Sequence, residues 1–133
     1  MDDRQRAPRK HVFAVNSSPD FLLIIRELLE GEGYAVTTND FTPNVFTQIV
    51  MRQPDALIVD IAPGESPGWD LLRRLHTEAA TIEIPVLVTS TSPALLEQAR
   101  EQAAWYGTER SFLTKPMDLD ELLRTIRVMV GDA

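Results

Sequence analysis

The chain has 133 residues, which is enough for one domain with a hydrophobic core and too few to expect two. A hydrophobic fraction of 44% and a charged fraction of 25% are typical of a globular protein in water, and the absence of cysteine excludes disulfides and thiolate metal sites. The net charge of −7 repels phosphate backbones, so we expect no direct binding of nucleic acid.

No segment has the pattern of a membrane span or of a secretion signal. The longest apolar run, FLLII at 21–25, is far shorter than the ~20 residues that cross a bilayer. The N-terminus MDDRQRAPRK lacks the apolar stretch of a secretory signal. We therefore expect a cytoplasmic protein without membrane association, with a flexible tail at 1–10 and one domain over 11–130.

Five short apolar segments, most of them β-branched, alternate with stretches of helical spacing. The predicted strands are HVFAV at 11–15, YAVT at 34–37, ALIVD at 56–60, PVLVTS at 85–90 and SFLT at 111–114. Positions 12–15, 57–59 and 86–88 are continuously apolar, which is typical of strands covered on both faces. The pattern predicts an α/β fold, a (βα)5 three-layer sandwich around a parallel five-stranded sheet.

Hydroxyl residues followed by proline mark the expected helix starts. These pairs are Ser18-Pro19, Thr42-Pro43, Ser66-Pro67 and Ser92-Pro93. The fifth helix is expected to open with Asp118, and Glu121 completes an aspartate variant of the capping box. The apolar stripe predicted for this helix consists of Leu119, Leu122, Leu123, Ile126, Met129 and Val130.

Polar side chains follow the predicted strands at one end of the sheet. The flavodoxin-like strand order 2-1-3-4-5 is among the few topologies that such a chain allows, and it makes the first and third strands neighbours. Asp60 would then end the third strand beside Asn16 and Ser17, which follow the first. Ser90 ends the fourth strand and Lys115 follows the fifth. We expect a carboxylate, a hydroxyl and an ammonium group to meet at this rim.

Three segments resemble the receiver domain of two-component response regulators. They are PDALIVDIAPGESPGWDLLRRL, IPVLVTST and FLTKP, and the resemblance extends over residues 11–130. It implies a flavodoxin-like fold with strand order 2-1-3-4-5. It also implies that Asp60 is the phosphoacceptor, Ser90 the switch hydroxyl, Lys115 the phosphate-binding lysine and Phe112 the aromatic residue that reorients on activation.

The sequence departs from this family at the metal site. Receivers usually carry two acidic residues after the first strand, where this chain has Asn16 and Ser17. The remaining ligands for Mg²⁺ are Asp60, the backbone carbonyl of Ala62 and neutral oxygens of Asn16 or Ser17, so we expect weakened magnesium binding. Without the like charges, Asp60 is expected to form a resting ion pair with Lys115.

Two functions remain open at this point, and neither is enzymatic. In the first, Asp60 receives a phosphoryl group from a histidine kinase or phosphotransfer protein and so switches a signalling surface. In the second, the chain is a phosphorylation-independent pseudo-receiver, a protein-interaction module. The resemblance also implies a homodimer through helix 4, strand 5 and helix 5. A phosphatase or dehalogenase is disfavoured because the chain offers no further acid–base residues and no cap.

Overall fold

The computed structural model describes residues 9–62, 67–106, 110–115 and 118–131, except for the side chains of 102–106, 110 and 111. Strands and helices alternate throughout. The strands are β1 (His11–Val15), β2 (Ala35–Asn39), β3 (Ala56–Asp60), β4 (Val86–Ser90) and β5 (Arg110–Thr114). The helices are α1 (Pro19–Gly31), α2 (Val45–Arg52), α3 (Pro67–Thr77), α4 (Pro93–Tyr106) and α5 (Leu119–Val130). Across the described ranges, none of these helices is long and apolar enough to span a bilayer.

The five strands form one parallel sheet in the order 2-1-3-4-5, so the flavodoxin-like prediction is confirmed. Four predicted strand boundaries, on three strands, were wrong by one or two residues. β2 starts one residue later than predicted and continues to Asn39 because it pairs with the whole of β1. β4 starts at Val86, after Pro85, which has no N–H to donate, and β5 starts at Arg110.

The central strands are buried on both faces, as their continuous apolar sequences predicted. One face, which includes Phe13 and Val59, packs against α2, α3 and α4. The opposite face, which includes Ala14 and Ile58, packs against α1 and α5. Burial of each such aliphatic side chain contributes roughly 1.5–3 kcal/mol to the free energy of folding. The two apolar layers therefore stabilise the sheet whose polar end carries the strand-end residues.

Three of the predicted helix caps are present. Ser18 Oγ accepts from the N–H of Phe21, and Ser92 Oγ accepts from the N–H of Leu95, each at 3.3 Å. Asp118 caps α5 by accepting from the N–H of Asp120 at 2.8 Å. These caps supply partners to N–H groups that have none within the helix. The Ser66 cap lies outside the described residues.

The cap predicted at Thr42 was wrong, because α2 begins at Val45 with Asn44 in the capping position. The Thr42 hydroxyl instead donates to Asn44 Oδ1 at 2.8 Å, and it accepts from Asn39 Nδ2 at 2.9 Å. The Thr42 hydroxyl therefore connects the loop after β2 to Asn39 at the end of that strand.

The apolar stripe of α5 differs from the prediction at one position. Leu119 is 40% exposed because it occupies the first helical position, ahead of the turns that pack on the sheet. Met129 is partly buried against the core. The remaining predicted positions are buried: Leu122, Leu123, Ile126 and Val130.

Candidate functional site

Asp60 lies where β3 leaves the core. The four preceding residues of the strand are buried, whereas the Asp60 side chain keeps 15% of its surface exposed. The carboxylate is therefore at the mouth of the hydrophobic core, where it is largely removed from water but still accessible. This partial exposure suits a group that must meet a ligand or a partner protein.

Lys115 contacts Asp60 directly. Its Nζ lies 2.9 Å from Asp60 Oδ1, so the ion pair predicted for these residues is present. The backbone N–H of Lys115 donates to the carbonyl of Ser90 at 2.7 Å, which fixes the start of the lysine side chain beside β4. The ammonium also lies 4.2 Å from the centroid of the Phe21 ring, a cation–π contact that sequence reasoning missed.

Thr89 provides the hydroxyl that contacts Asp60, whereas the sequence predicted Ser90 as the strand-end hydroxyl at this rim, in the role of the switch residue. Thr89 is fully buried, and its Oγ1 donates to Asp60 Oδ1 at 2.8 Å. Ser90 is also buried, but its Oγ accepts from the N–H of Ser92 at 3.1 Å, in the loop before α4. Adjacent strand residues face opposite ways, and the register pairs Asp60 with Thr89. Only this register reveals Thr89 as the partner.

Asn16 follows β1 on the neighbouring strand, one residue beyond Val15, which pairs with Val59. It is only 2% exposed. Its Oδ1 accepts from the N–H of Ser18 at 2.8 Å. Its Nδ2 is buried and makes no hydrogen bond to any part of the chain that the structure describes. A buried amide donor without a protein partner is unusual in a folded chain.

The residues at this rim do not fit a magnesium site. Within the described ranges, no group of three or more histidine, aspartate or glutamate side chains is placed to hold a metal ion. Asp60 Oδ1 already accepts from two donors, and the Asn16 oxygen is used by Ser18. The other predicted ligands, exposed Ser17 and the carbonyl of exposed Ala62, are neutral. Asn16 Nδ2 is a donor and repels a cation.

Phe112 lies on β5, three residues before Lys115, and pairs in register with Val88. Its ring is partly buried against the cluster formed with α2, α3 and α4. The guanidinium carbon of Arg100, on α4, is 4.9 Å from the ring centroid. The predicted switch residue is thus connected to α4 rather than to the ion pair.

Gly68 is a further site residue that the sequence did not reveal. It is buried in the first turn of α3, where a Cβ atom would lie 2.0 Å from the backbone oxygen of Asp60. A glycine is therefore required for α3 to approach the end of β3 this closely. No local signal in the sequence connects Gly68 with Asp60, because the contact depends on how the helix packs.

The comparisons with known proteins agree with this geometry. The family model of the response regulator receiver domain matches residues 12–127. The two-component response regulator ORR3 of Oryza sativa subsp. indica is 32% identical over 120 residues, covering 88% of each chain. A response regulator receiver protein from Burkholderia phymatum superposes with a TM-score of 0.72 at 26% identity, covering 94% of this chain and 98% of that one. Chemotaxis protein CheY4 of Vibrio cholerae shares the fold, with a TM-score of 0.75 at 21% identity over 92% of this chain and 99% of its own.

Proposed function

Because this chain belongs to the family of response regulator receiver domains, we propose that Asp60 is a phosphoacceptor in two-component signalling. The domain would occupy residues 11–130, after a tail at 1–10. Receiver domains are typically signal transducers rather than enzymes, and they interact with histidine kinases or phosphotransfer proteins. We extend both properties to this chain, with a histidine kinase or phosphotransfer protein as the phosphoryl donor.

The observation that carries this proposal is the convergence of Lys115 and Thr89 on Asp60 Oδ1, at 2.9 and 2.8 Å. A carboxylate can attack phosphorus and hold the phosphoryl group as a mixed anhydride. The transition state spreads negative charge over the phosphoryl oxygens, so a positioned ammonium and a positioned hydroxyl favour it. Lys115 supplies the positive charge, and Thr89 fixes the orientation of the nucleophile.

Receiver domains generally bind Mg²⁺. In this chain the two residues after β1, Asn16 and Ser17, are neutral, and the buried Nδ2 of Asn16 is a donor rather than an acceptor. We propose that magnesium binds weakly here. Asp60 alone provides a carboxylate, with the Ala62 carbonyl, Asn16 and Ser17 as neutral neighbours.

The response to phosphorylation is proposed to pass through β4 and β5. A phosphoryl group adds roughly −1.5 to −2 charges next to Ser90, whose hydroxyl now accepts from Ser92. Movement of Ser90 towards the phosphate would release that loop contact and rearrange Phe112 beneath Arg100. The surface formed by α4, β5 and α5 would change as a result, and we propose it as the homodimer interface.

The test is incubation with phosphoramidate or acetyl phosphate, followed by intact-mass spectrometry. We expect a single phosphoryl adduct, labile to hydroxylamine as an acyl phosphate is, with or without added magnesium. Asp60→Asn should abolish the adduct, whereas Asp70→Asn, a substitution of the same type at an exposed position in α3, should not. Absence of an adduct in every condition would refute the phosphoacceptor proposal.

A second function is supported by one specific observation, the ion pair between Asp60 and Lys115. The ammonium already neutralises the carboxylate, as a bound cation would. A pseudo-receiver would use this fixed arrangement to present its interaction surface without phosphorylation. It predicts no adduct, together with partner binding that survives Asp60→Asn.

A further inference from the structure

The rim around Asp60 is lined by hydrogen-bond donors. Lys115 and Thr89 contact Oδ1, and Asn16, only 2% exposed, adds a buried amide whose Nδ2 has no partner among the described residues. From this arrangement we infer that Asp60 accepts the phosphoryl group without magnesium, and that the Asn16 amide donates to a phosphoryl oxygen in place of the metal. The inference rests on the proposed phosphoacceptor function and adds its metal dependence.

The direction of the Asn16 amide is fixed by its other contact. Oδ1 lies 2.8 Å from the backbone nitrogen of Ser18, which carries a hydrogen and needs an acceptor. Turning the amide over would place two donors against each other, so the NH₂ group must be the free end. Burial without a partner costs free energy, and an oxygen anion that accepts from Nδ2 removes that cost.

The position of Asn16 places this donor beside the reacting carboxylate. Val15 pairs with Val59, so Asn16 and Asp60 are the next residues along two neighbouring parallel strands. α1 begins at Pro19, three residues after Asn16, and the N-terminal end of a helix carries partial positive charge. An oxyanion at this point therefore meets the Asn16 amide together with the Lys115 ammonium.

The local charge also balances without a metal ion. Asp60 and Lys115 form a neutral pair. Two acidic residues after β1 would add two negative charges that a divalent cation would have to cancel, whereas Asn16 and Ser17 add none. An incoming phosphoryl group would therefore meet the same net charge here, with no ion bound, as it meets in a site with two acids and one divalent cation.

The transfer step can be written with these groups alone. Lys115 and Thr89 both occupy Oδ1, which assigns Oδ2 of Asp60 as the attacking atom. A bond forms between Oδ2 and phosphorus while the bond between phosphorus and the donor histidine nitrogen breaks. The leaving nitrogen keeps the electron pair and takes a proton from water. The Asn16 amide and the Lys115 ammonium donate to the equatorial oxygens as their negative charge grows.

The experiment measures the rate of phosphorylation by phosphoramidate, which has the same P–N bond as phosphohistidine, in EDTA and in excess MgCl₂. For the unchanged protein we expect the two rates to agree.

Asn16→Leu keeps a similar volume without the donor, and it should slow the reaction in EDTA by about 100-fold, as loss of one oxyanion donor does. Asn16→Asp places a carboxylate at the rim and should make the rate depend on magnesium. Asn44→Asp, at an exposed helix cap, is the charge-matched control and should change neither rate.

Binding of magnesium gives a second readout that does not require the reaction. The fluorescence of Trp69, in the first turns of α3, should respond to MgCl₂ in Asn16→Asp at concentrations that leave the unchanged protein unaffected. Circular dichroism establishes that each variant is folded.

A rate that requires magnesium in the unchanged protein overturns this inference and leaves the phosphoacceptor function standing. Absence of an adduct in both conditions overturns this inference and the phosphoacceptor function. An unchanged phosphorylation rate for Asn16→Leu in EDTA would refute the role given to the Asn16 amide.

Discussion

The hydroxyl of Thr89 donates to Oδ1 of Asp60 at 2.8 Å, across two parallel strands that pair these residues in register. Thr89 has no exposed surface, so the contact is formed in a site from which water is largely excluded. A hydrogen bond of this kind, to a carboxylate in a protected position, restrains the rotation of the side chain. The resting orientation of Asp60 is therefore set from inside the sheet as well as by Lys115.

Replacing Thr89 by valine removes this hydrogen bond and keeps the shape of the side chain. We expect Thr89→Val to lower the free energy of unfolding by about 1.5–3 kcal/mol, the usual contribution of a hydrogen bond to a charged group. Urea denaturation measures the change. Thr91→Val, at an exposed position two residues further along, should stay within about 0.5 kcal/mol of the original protein. Equal stabilities for the two variants would contradict the contact.

Lys115→Met keeps the aliphatic stem of the side chain but leaves Asp60 without its cation. Both side chains of the pair are less than one-fifth exposed, at 17% and 15%, so we expect a loss of about 1–3 kcal/mol, less than for a fully buried pair. Combining this change with Asp60→Asn should recover part of the loss, because no unpaired charge remains. The four proteins form a double-mutant cycle, measured by urea denaturation. Strictly additive effects would show that the pair contributes no coupling.

Gly68→Ala introduces a Cβ atom 2.0 Å from the backbone oxygen of Asp60. We expect a loss of stability of about 1–3 kcal/mol or more, since α3 or the end of β3 must shift, even though alanine favours helix. Gly31→Ala is the matched control, because no atom lies within 4 Å of the added Cβ at the end of α1. It should be neutral or stabilising by up to about 1 kcal/mol. Thermal denaturation should show a lower melting temperature for Gly68→Ala and an unchanged or higher one for Gly31→Ala.

His11 predicts a dependence of stability on pH. Its pKa is held below 6.5 mainly by burial and secondarily by Arg52, against the opposing effect of Asp55. Since the folded pKa is lower than the unfolded pKa, the unfolded chain binds more protons between the two values. The stabilising effect of neutral His11 is complete above pH 6.5 and is lost as the pH falls through the folded pKa.

His11→Asn removes this titration. Plots of the free energy of unfolding against pH should therefore diverge below about pH 6.5, with the steeper fall in the unchanged protein. The His11 imidazole lies 2.8 Å from Thr37 Oγ1, so the variant is compared in slope rather than in absolute stability. Parallel curves would mean that His11 titrates equally in both states.

The sequence determined the order of the elements and the fold that follows from it. Continuous apolar strands need cover on both faces, and helices between parallel strands provide it through right-handed crossovers. It also placed Asp60 and Lys115 at strand ends, because each closes or follows an apolar run at the same edge of the sheet. Signals of this kind are local, and they are read from spacing alone.

Only the tertiary structure decided which hydroxyl contacts Asp60, which glycine lies against its backbone and which buried amide has no partner among the described residues. Thr89 rather than Ser90 makes the contact because side chains alternate across the sheet, and a register cannot be counted from one strand. The need for glycine at position 68 depends on how closely α3 packs, and the orientation of the Asn16 amide depends on the turn in which its oxygen accepts from Ser18. These are distances between segments remote in sequence, and packing of the whole chain sets them.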